Sequence, residues 1–502
     1  MKVGGTSLRL NRKNSLAGTV FLGLGLLVLS GCAVGPRYSR PATVAPPEYK
    51  ELPPNWKTAQ PNDQIAKGTW WEVFQDPPLN TLEQQINVSN QTLKSAQAQF
   101  EQARALVRIN RSAQYPYLTA GMSATRNHQS INRPNGRLAP TNSYTDLQLP
   151  VDASYEADVW GRVRRTVEAA RANAQASAAD LESVSLSLHA ELATDYFELR
   201  ALDAEEQLLN STVSAYEKAL ELTRNRYSGG VASQVDVAQA QTQLETTRAQ
   251  AIDLGVQRAQ LEHAIAVLIG QPAPNFSLPG SPLNNTPPVV PTGLPSDLLE
   301  RRPDIAGNER RMAVANEQIG IAKAAYYPTI TLSAAGGFEG SAITNWFNGP
   351  SGFIAAGASA LGTVFDAGRR RAQLDVARAS YDQAVANYRE TILGAFQEVE
   401  DNLAALRLLE DEAKTQEVAV TSAEHSLTLS TNRYKGGVTT YLEVITAQST
   451  ALTDQRTAVE IAGRRMTASV ALIKALGGGW DAATLPAIQG ESHPQSGAAT
   501  GQ

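Results

Sequence analysis

One hexapeptide occurs twice in this chain with a single change, Ser228 against Lys435. Arg226-Tyr227-Ser228-Gly229-Gly230-Val231 returns as Arg433-Tyr434-Lys435-Gly436-Gly437-Val438, and each copy is followed by an acid and a valine, Asp236-Val237 and Glu443-Val444. Tyr115-Pro116 likewise returns as Tyr327-Pro328, and Gly161-Arg162 as Gly368-Arg369. Three landmarks recur in one order at an offset of about 210 residues, far beyond the roughly 20 to 50 residues of solenoid repeats. The chain therefore reads as a tandem duplication, one structural unit written twice.

The segment before residue 32 reads as an export signal. Arg9, Arg12 and Lys13 form a basic n-region, and Leu16 to Leu29 an apolar h-region too short for a spanning helix. Leu29-Ser30-Gly31-Cys32 resembles the bacterial lipobox, with Cys32 as the lipidated first residue after cleavage. Cys32 is also the only cysteine, so it serves no disulfide. The alternative is an ordinary signal with a chance cysteine. Ala33 stands where an aspartate would retain a lipoprotein at the inner membrane, so the resemblance implies the outer membrane. One acyl chain binds marginally, whereas two or three hold firmly.

The formal charge of −5 includes Lys2, Arg9, Arg12 and Lys13 and no acid from the signal, so removing those four bases leaves −9. Such a chain is a poor match for nucleic acid. Hydrophobic residues make up 42 % but aromatics only 6 %, with alanine dense in stretches such as Ala169 to Ala179. This composition packs backbones closely rather than building a thick core.

Val34 to about Asn62 is proline-rich and aperiodic, a tether rather than a domain. From about Leu79 the pattern turns helical, with Leu82, Ile86, Leu93 and Phe100 three, four or seven apart, up to Tyr115-Pro116. The period then becomes two. In Tyr117 to Arg126 and in Asp146 to Tyr155 apolar residues alternate with polar ones, and Asn127 to Ser143 forms a turn-rich loop between them. The second half repeats this with Thr329 to Ala334 and, less cleanly, Phe353 to Phe365.

Strands of about ten residues with one apolar and one polar face match the lipid-out, lumen-in pattern of membrane β-barrels. A soluble antiparallel sheet packed on helices has the same alternation. The chain supplies about four such strands, and an open sheet cannot sit in hydrocarbon with unpaired edges. If these strands span, several chains share one barrel.

A very long helix follows each strand pair. Asp158 to Arg226 has no proline, and its roughly 65 residues reach about 100 Å at the α-helical rise. Asp366 to Arg433 does the same, with Leu374, Ala377, Tyr381, Ala384 and Tyr388 at coiled-coil spacing. Each turns at its Gly-Gly motif and returns as a shorter helix, Ser233 to Ile269 and Thr440 to Leu476. The return helix and the short helix before the strands, stacked end to end, match the long helix in length.

These residues carry a family resemblance. Cys32-Ala33-Val34-Gly35-Pro36 with Tyr38 and Arg40-Pro41, then Trp70-Trp71 with Phe74, Asp76 and Leu79, then Leu298 to Ile305, then Phe365-Asp366-Ala367-Gly368-Arg369, are similar to the TolC-like outer membrane factors. The lipobox and the Glu300 to Ile305 block point to the lipoprotein branch of resistance-nodulation-division efflux systems, and the resemblance spans about residues 32 to 480. It implies a mainly α fold with a membrane β-barrel. Four strands per chain would contribute to a trimeric twelve-stranded barrel, continued by long α-helical hairpins as a periplasmic α-barrel. The implied function is the outer membrane channel of a tripartite efflux pump, a passive exit duct for drugs and other small molecules. Its partners would be two further copies, a periplasmic adaptor, an inner-membrane resistance-nodulation-division transporter and outer membrane lipid.

In the family the Gly-Gly turns are periplasmic tips that close the tunnel and meet the adaptor. This assigns adaptor contact to Gly229, Gly230, Val231, Gly436, Gly437 and Val438, although a tight helical hairpin needs such glycines anyway. By the same resemblance Asp236 and Tyr434 belong to the network that holds the gate shut, and Glu443 lines its narrowest ring. Some relatives have an arginine where this chain has Thr439, and a second acid where it has Thr446. The expectation here is therefore a Tyr434-to-Asp236 hydrogen bond rather than a salt-bridged lock. Three Glu443 carboxylates in a trimer would select cations or bind a divalent metal.

The implied division is a signal peptide over 1–31, a lipid-anchored tether over 32–78, repeats over 79–270 and 296–480 with a linker over 271–295, and a disordered tail over 481–502. His128, His189, His263, His425 and His493 never reach metal-ligand spacing and read as solvent-facing. Arg162, Arg164, Arg165 and Arg369 to Arg371, beside Trp160 and Phe365, read as anchors at the inner membrane-water interface. No nucleophile, base and orienter share a motif, so no enzyme, cofactor or metal site is expected. The alternatives are a duct for metal ions or secreted polypeptide, disfavoured by four Met and five His and by the Glu300 to Ile305 block, and a structural coiled-coil lipoprotein, which would lack the strand pairs.

Overall fold

The computed structural model describes residues 34–42, 46–51, 68–130, 132, 143–284, 286–290 and 295–486. Cys32, the export signal and all of the expected tail beyond residue 486 lie outside the described residues. In chain order the principal elements are α1 (Pro77–Ser89), α2 (Gln91–Ser112), β1 (Tyr117–Ala120), β2 (Ser123–His128), β3 (Ser143–Ala157), α3 (Arg162–Ser228) and α4 (Gln234–Leu268). The second half follows with α5 (Pro303–Ala324), β4 (Thr329–Gly340), β5 (Gly352–Leu361), α6 (Arg369–Lys435) and α7 (Tyr441–Ala475). The duplication is visible in helix lengths: α2 and α5 have 22 residues each, α3 and α6 have 67, and α4 and α7 have 35. Among the described residues no helix is long and apolar enough to cross a membrane.

Two compact units form, and neither coincides with a sequence half. The first contains Glu101–Gln175, Glu309–Asn387 and the described part of Met1–Pro41. Its sheet runs in the order β1-β3-β4-β5, with β2 also on β3, all antiparallel. The hairpins of the two halves are joined by the β3–β4 pairing. The expected strand Tyr117 to Arg126 is interrupted. The break faces Pro150, which has no N–H to give, and Gly121 N donates to the Pro150 carbonyl at 3.0 Å.

Residues paired across an antiparallel ladder lie on one face of the sheet. Leu149 pairs with Phe338, Val151 with Gly336 and Tyr155 with Leu332, and Gly336 pairs onward with Ile354. On the other face Gln148 pairs with Glu339, Asp152 with Ala335 and Ser154 with Ser333. The register thus gathers one apolar and one mainly polar face. A side chain at Gly337 would run into the Leu149 carbonyl, so this position accepts only hydrogen.

Helix starts in this unit are set by repeated aspartates. Asp158 accepts from Val163 N and Arg164 N at 2.9 and 2.8 Å, and Asp366 accepts from Arg370 N at 3.2 Å. The neighbouring arginines are mostly paired within the protein. Arg162 holds Glu156, and Arg370 holds Asp366 and covers the Tyr326 ring at 5.5 Å. Arg165 departs from the expected interfacial role: it is 5 % exposed and bonded to Glu317 at 2.6 Å.

The first residues of the expected tether are also fastened. Val34 N donates to the Trp160 carbonyl at 3.1 Å, Arg165 donates to the Pro36 carbonyl at 3.2 Å, and Tyr38 reaches Glu309 at 3.2 Å. Trp160 in turn stacks on Tyr327 at 4.6 Å.

The second unit contains Ala42–Phe100, Ala176–Asn308 and Tyr388–Gln502. The expected tether reaches its core: Trp70, Trp71 and Phe74, on a 3-10 helix, are all buried. The helix expected to run unbroken to Tyr115 is divided at Asn90. This residue ends α1, caps α2 by accepting from Leu93 N at 2.8 Å, and donates to the Leu268 carbonyl at 2.7 Å. His189 is 4 % exposed rather than solvent-facing. It lies 2.6 Å from Glu83 and stacks on Trp71 at 4.4 Å. Burial pushes Glu83 well above the usual carboxylate range and His189 down to about 4.

The linker is held by a buried ionic network around Asp203. Arg258 donates to Asp203 at 2.7 Å and to the Leu278 carbonyl at 2.6 Å, and Ser281 N bonds Asp203 at 2.9 Å. The Arg301-Arg302-Pro303-Asp304 block acts similarly. Arg302 bonds Asp304, Glu398 at 2.6 Å and the Ala475 carbonyl at 3.1 Å, stapling the C-terminal end of α7.

Candidate functional site

Both Gly-Gly motifs end a long helix in the same hydrogen-bonded turn, and both lie in the second unit. Val231 N and Val438 N donate back to the Arg226 and Arg433 carbonyls at 2.8 and 3.0 Å. Gly230 N and Gly437 N donate to the Tyr227 and Tyr434 carbonyls at 2.9 and 3.0 Å. This Schellman pattern puts one residue in the left-handed region, here Gly230 (φ 73°) and Gly437 (φ 76°). Val231 and Val438 are 66 % and 71 % exposed, so each hairpin ends in an uncovered apolar residue flanked by glycine.

The return helices begin differently. Ser233 and Asp236 form a full capping box, Ser233 N to Asp236 at 3.0 Å and Asp236 N to Ser233 Oγ at 3.2 Å. Thr440 makes no side-chain cap bond. Instead Glu443 accepts from Arg433 at 2.9 Å and from the Thr439 hydroxyl, all within one hairpin. An open groove of about 510 Å³ lies beside it, lined by Ser426, Ser430, Thr440, Glu443, Thr446 and Thr450 among others.

Between the two hairpins lies a small core of Tyr216, Leu220, Ala240, Leu244, Tyr434, Tyr441 and Val444, drawn from α3, α4, α6 and α7. Tyr434 is 4 % exposed and packs on Tyr441 at 5.2 Å. Burial, reinforced by the neighbouring Tyr434 and Tyr216, pushes the Tyr441 hydroxyl up to about 12.

The structure thus brings Asp236, Tyr434 and Glu443 to the same end of the hairpins, but the expected Tyr434-to-Asp236 hydrogen bond is not made. Among the described residues Tyr434 Oη has no hydrogen-bond partner. Asp236 is committed to its capping box. The contact that crosses between the tips comes from Arg226, which lies 4.8 Å over the Tyr434 ring and donates to the Lys435 carbonyl at 3.0 Å. Arg226 and Arg433 open the repeated hexapeptide, so the repeat itself marks them, but their roles depend on partners distant in sequence.

The family model for outer membrane efflux proteins matches residues 82–271 and 294–478. The chain belongs to that family. The toluene efflux pump outer membrane protein TtgF of Pseudomonas putida is 34 % identical over 478 residues, covering 92 % of this chain and 97 % of the relative. The pyoverdine export outer membrane protein OpmQ of Pseudomonas aeruginosa is 31 % identical, covering 90 % and 95 %. The solved structure of the outer-membrane channel OprN superposes with a TM-score of 0.83 at 28 % identity, covering 89 % of this chain and 100 % of that one. As an outer membrane efflux protein, the chain is the outer membrane channel of an efflux pump. Its sheet is the membrane part and its long hairpins the periplasmic part.

Proposed function

We propose that three copies close one twelve-stranded barrel and form a passive exit duct for small amphiphilic compounds, shut at rest by the hairpin tips. The observation that carries this reading is the sheet. It has four strand positions, outer edges on β1/β2 and β5 that are unpaired among the described residues, and one apolar face. Four strands cannot enclose a lumen, and open edges in hydrocarbon cost several kcal/mol per unsatisfied group. Closure by identical neighbours removes every edge at once.

In this reading the export signal is removed and Cys32 is acylated, close in sequence to the strap at Val34 and Pro36. The exposed Val231 and Val438 and the glycines beside them meet a periplasmic adaptor, which links the duct to a resistance-nodulation-division transporter that supplies the energy. The chain performs no catalysis. Relatives of nearly equal similarity are named for toluene and for pyoverdine, a spread that fits a duct whose cargo is chosen elsewhere. The test is to purify the full-length protein from outer membranes and to record it in planar bilayers. A heat-resistant trimer giving rare, small conductances is expected, and deletion of the gene should sensitise cells to several unrelated small compounds. A monomer without conductance defeats the proposal.

A further inference from the structure

We propose that Arg226 is the positioning residue that locks the two hairpin tips of each chain together in the closed gate. The proposal rests on the reading of the protein as a duct shut at rest. Arg226 sits in the last turn of α3, yet both side-chain interactions described above are with the other hairpin. Its Nη1 donates to the Lys435 carbonyl at 3.0 Å and its guanidinium covers the Tyr434 ring at 4.8 Å. Lys435 is the last residue of α6, so its carbonyl is one of the unpaired acceptors at the negative end of that helix, where a cation is favoured. The Tyr434 ring is fixed from below by Tyr441, Leu220 and Leu244. One side chain therefore caps a helix and covers an aromatic plug that are both foreign to its own hairpin.

The duplication supplies an internal control. Arg433 holds the same place in the second hexapeptide, but it is turned inward to Glu443 of its own hairpin at 2.9 Å. Two arginines in matching positions thus do different work: one ties hairpin to hairpin, the other braces a single tip. The turn does not depend on either side chain, because Val231 and Val438 bond to the backbone carbonyls. Substitution at either site keeps the backbone groups that form the turn.

The experiment compares full-length wild type with Arg226→Gln, Arg226→Lys and Arg433→Gln in planar bilayers, after a check that each migrates as a heat-resistant trimer. Loss of three such contacts per trimer is expected to raise the open fraction about tenfold or more in Arg226→Gln. Arg226→Lys keeps a cation and a donor and should restore most of the closed state, while Arg433→Gln should stay within about twofold of wild type. If Arg226→Gln fails to assemble, Tyr434→Leu removes the covered ring and should open the channel in its place. A conducting wild type with an unchanged Arg226→Gln, or equal opening by Arg433→Gln, overturns the lock alone. A wild type that never conducts defeats the duct reading and the lock with it.

Discussion

Asp203 accepts from Arg258 Nε at 2.7 Å while its other carboxylate oxygen holds Arg200 at 3.0 Å and Ser281 N at 2.9 Å. A segment without regular secondary structure is thereby fixed to two helices of the first half. Asp203→Ala leaves the buried Arg200 without its acid and Arg258 with Glu262 alone, and loss of one partner of a buried pair costs about 3–5 kcal/mol. The expected result is a lower melting temperature together with new protease cleavage between residues 271 and 290. Unchanged cleavage would mean that the segment is held by apolar contacts such as that of Leu278.

Asp195 offers a pH test. Burial, with Glu191 and Glu198 adding to it, raises its carboxyl from the ordinary 3.8 to about 6. Between these values the folded state keeps a proton that the unfolded state releases, so stability falls as pH rises from about 4 to 6 and is level above. Asp195→Asn should therefore raise stability at pH 7.5 by about 1 kcal/mol, after discounting for partial exposure, and give no gain at pH 4. Thermal unfolding of the detergent-solubilised protein at both pH values measures this.

Tyr434→Phe should leave the closed gate unchanged within about 0.5 kcal/mol, because the hydroxyl it removes has no partner while the ring under Arg226 remains. Asp236→Ala should instead loosen the start of α4 by about 0.5–2 kcal/mol through loss of the capping box. Bilayer conductance separates the two. Marked opening by Tyr434→Phe would reveal a bond to its hydroxyl in the assembled trimer.

Leu149 and Gln148 are adjacent in β3 and point to opposite faces. Leu149→Arg should cost about 2–4 kcal/mol near mid-bilayer and reduce heat-resistant trimer, whereas Gln148→Arg should be tolerated in the lumen. Equal yields of trimer would show that the apolar face does not meet lipid.

Cys32→Ser should abolish incorporation of labelled palmitate, yet leave part of the protein in the outer membrane fraction, held by its strands. Complete release to the soluble fraction would show that the acyl chains alone retain it.

Where a local signal is strong, the sequence is enough. The sequence places the return helices at Ser233 to Ile269 and Thr440 to Leu476, and those four residues are their caps in the structure. The reason is that glycine in the left-handed region, the capping hydroxyl of Ser233 and helical periodicity act within one or two turns of chain. The helical pattern runs through the break at Asn90 because a single asparagine is a weak stop; its bond to the Leu268 carbonyl fixes a boundary that local pattern leaves undetermined.

Duplication, periodicity and strand alternation by themselves determined that this protein has two equivalent halves, each with a long hairpin and amphipathic strands. Tertiary structure alone decided which residues of the halves meet. His189 is buried because Glu83, 106 residues away, and Trp71 close over it. Arg226 reaches across a seam to Lys435, 209 residues on, while Arg433 in the matching hexapeptide turns back on its own hairpin. Nearly identical local sequence fixes equivalent turns, because backbone hydrogen bonds are short-ranged. It leaves side-chain partners open, because those depend on which foreign helix the packing of the whole chain brings within a few ångströms.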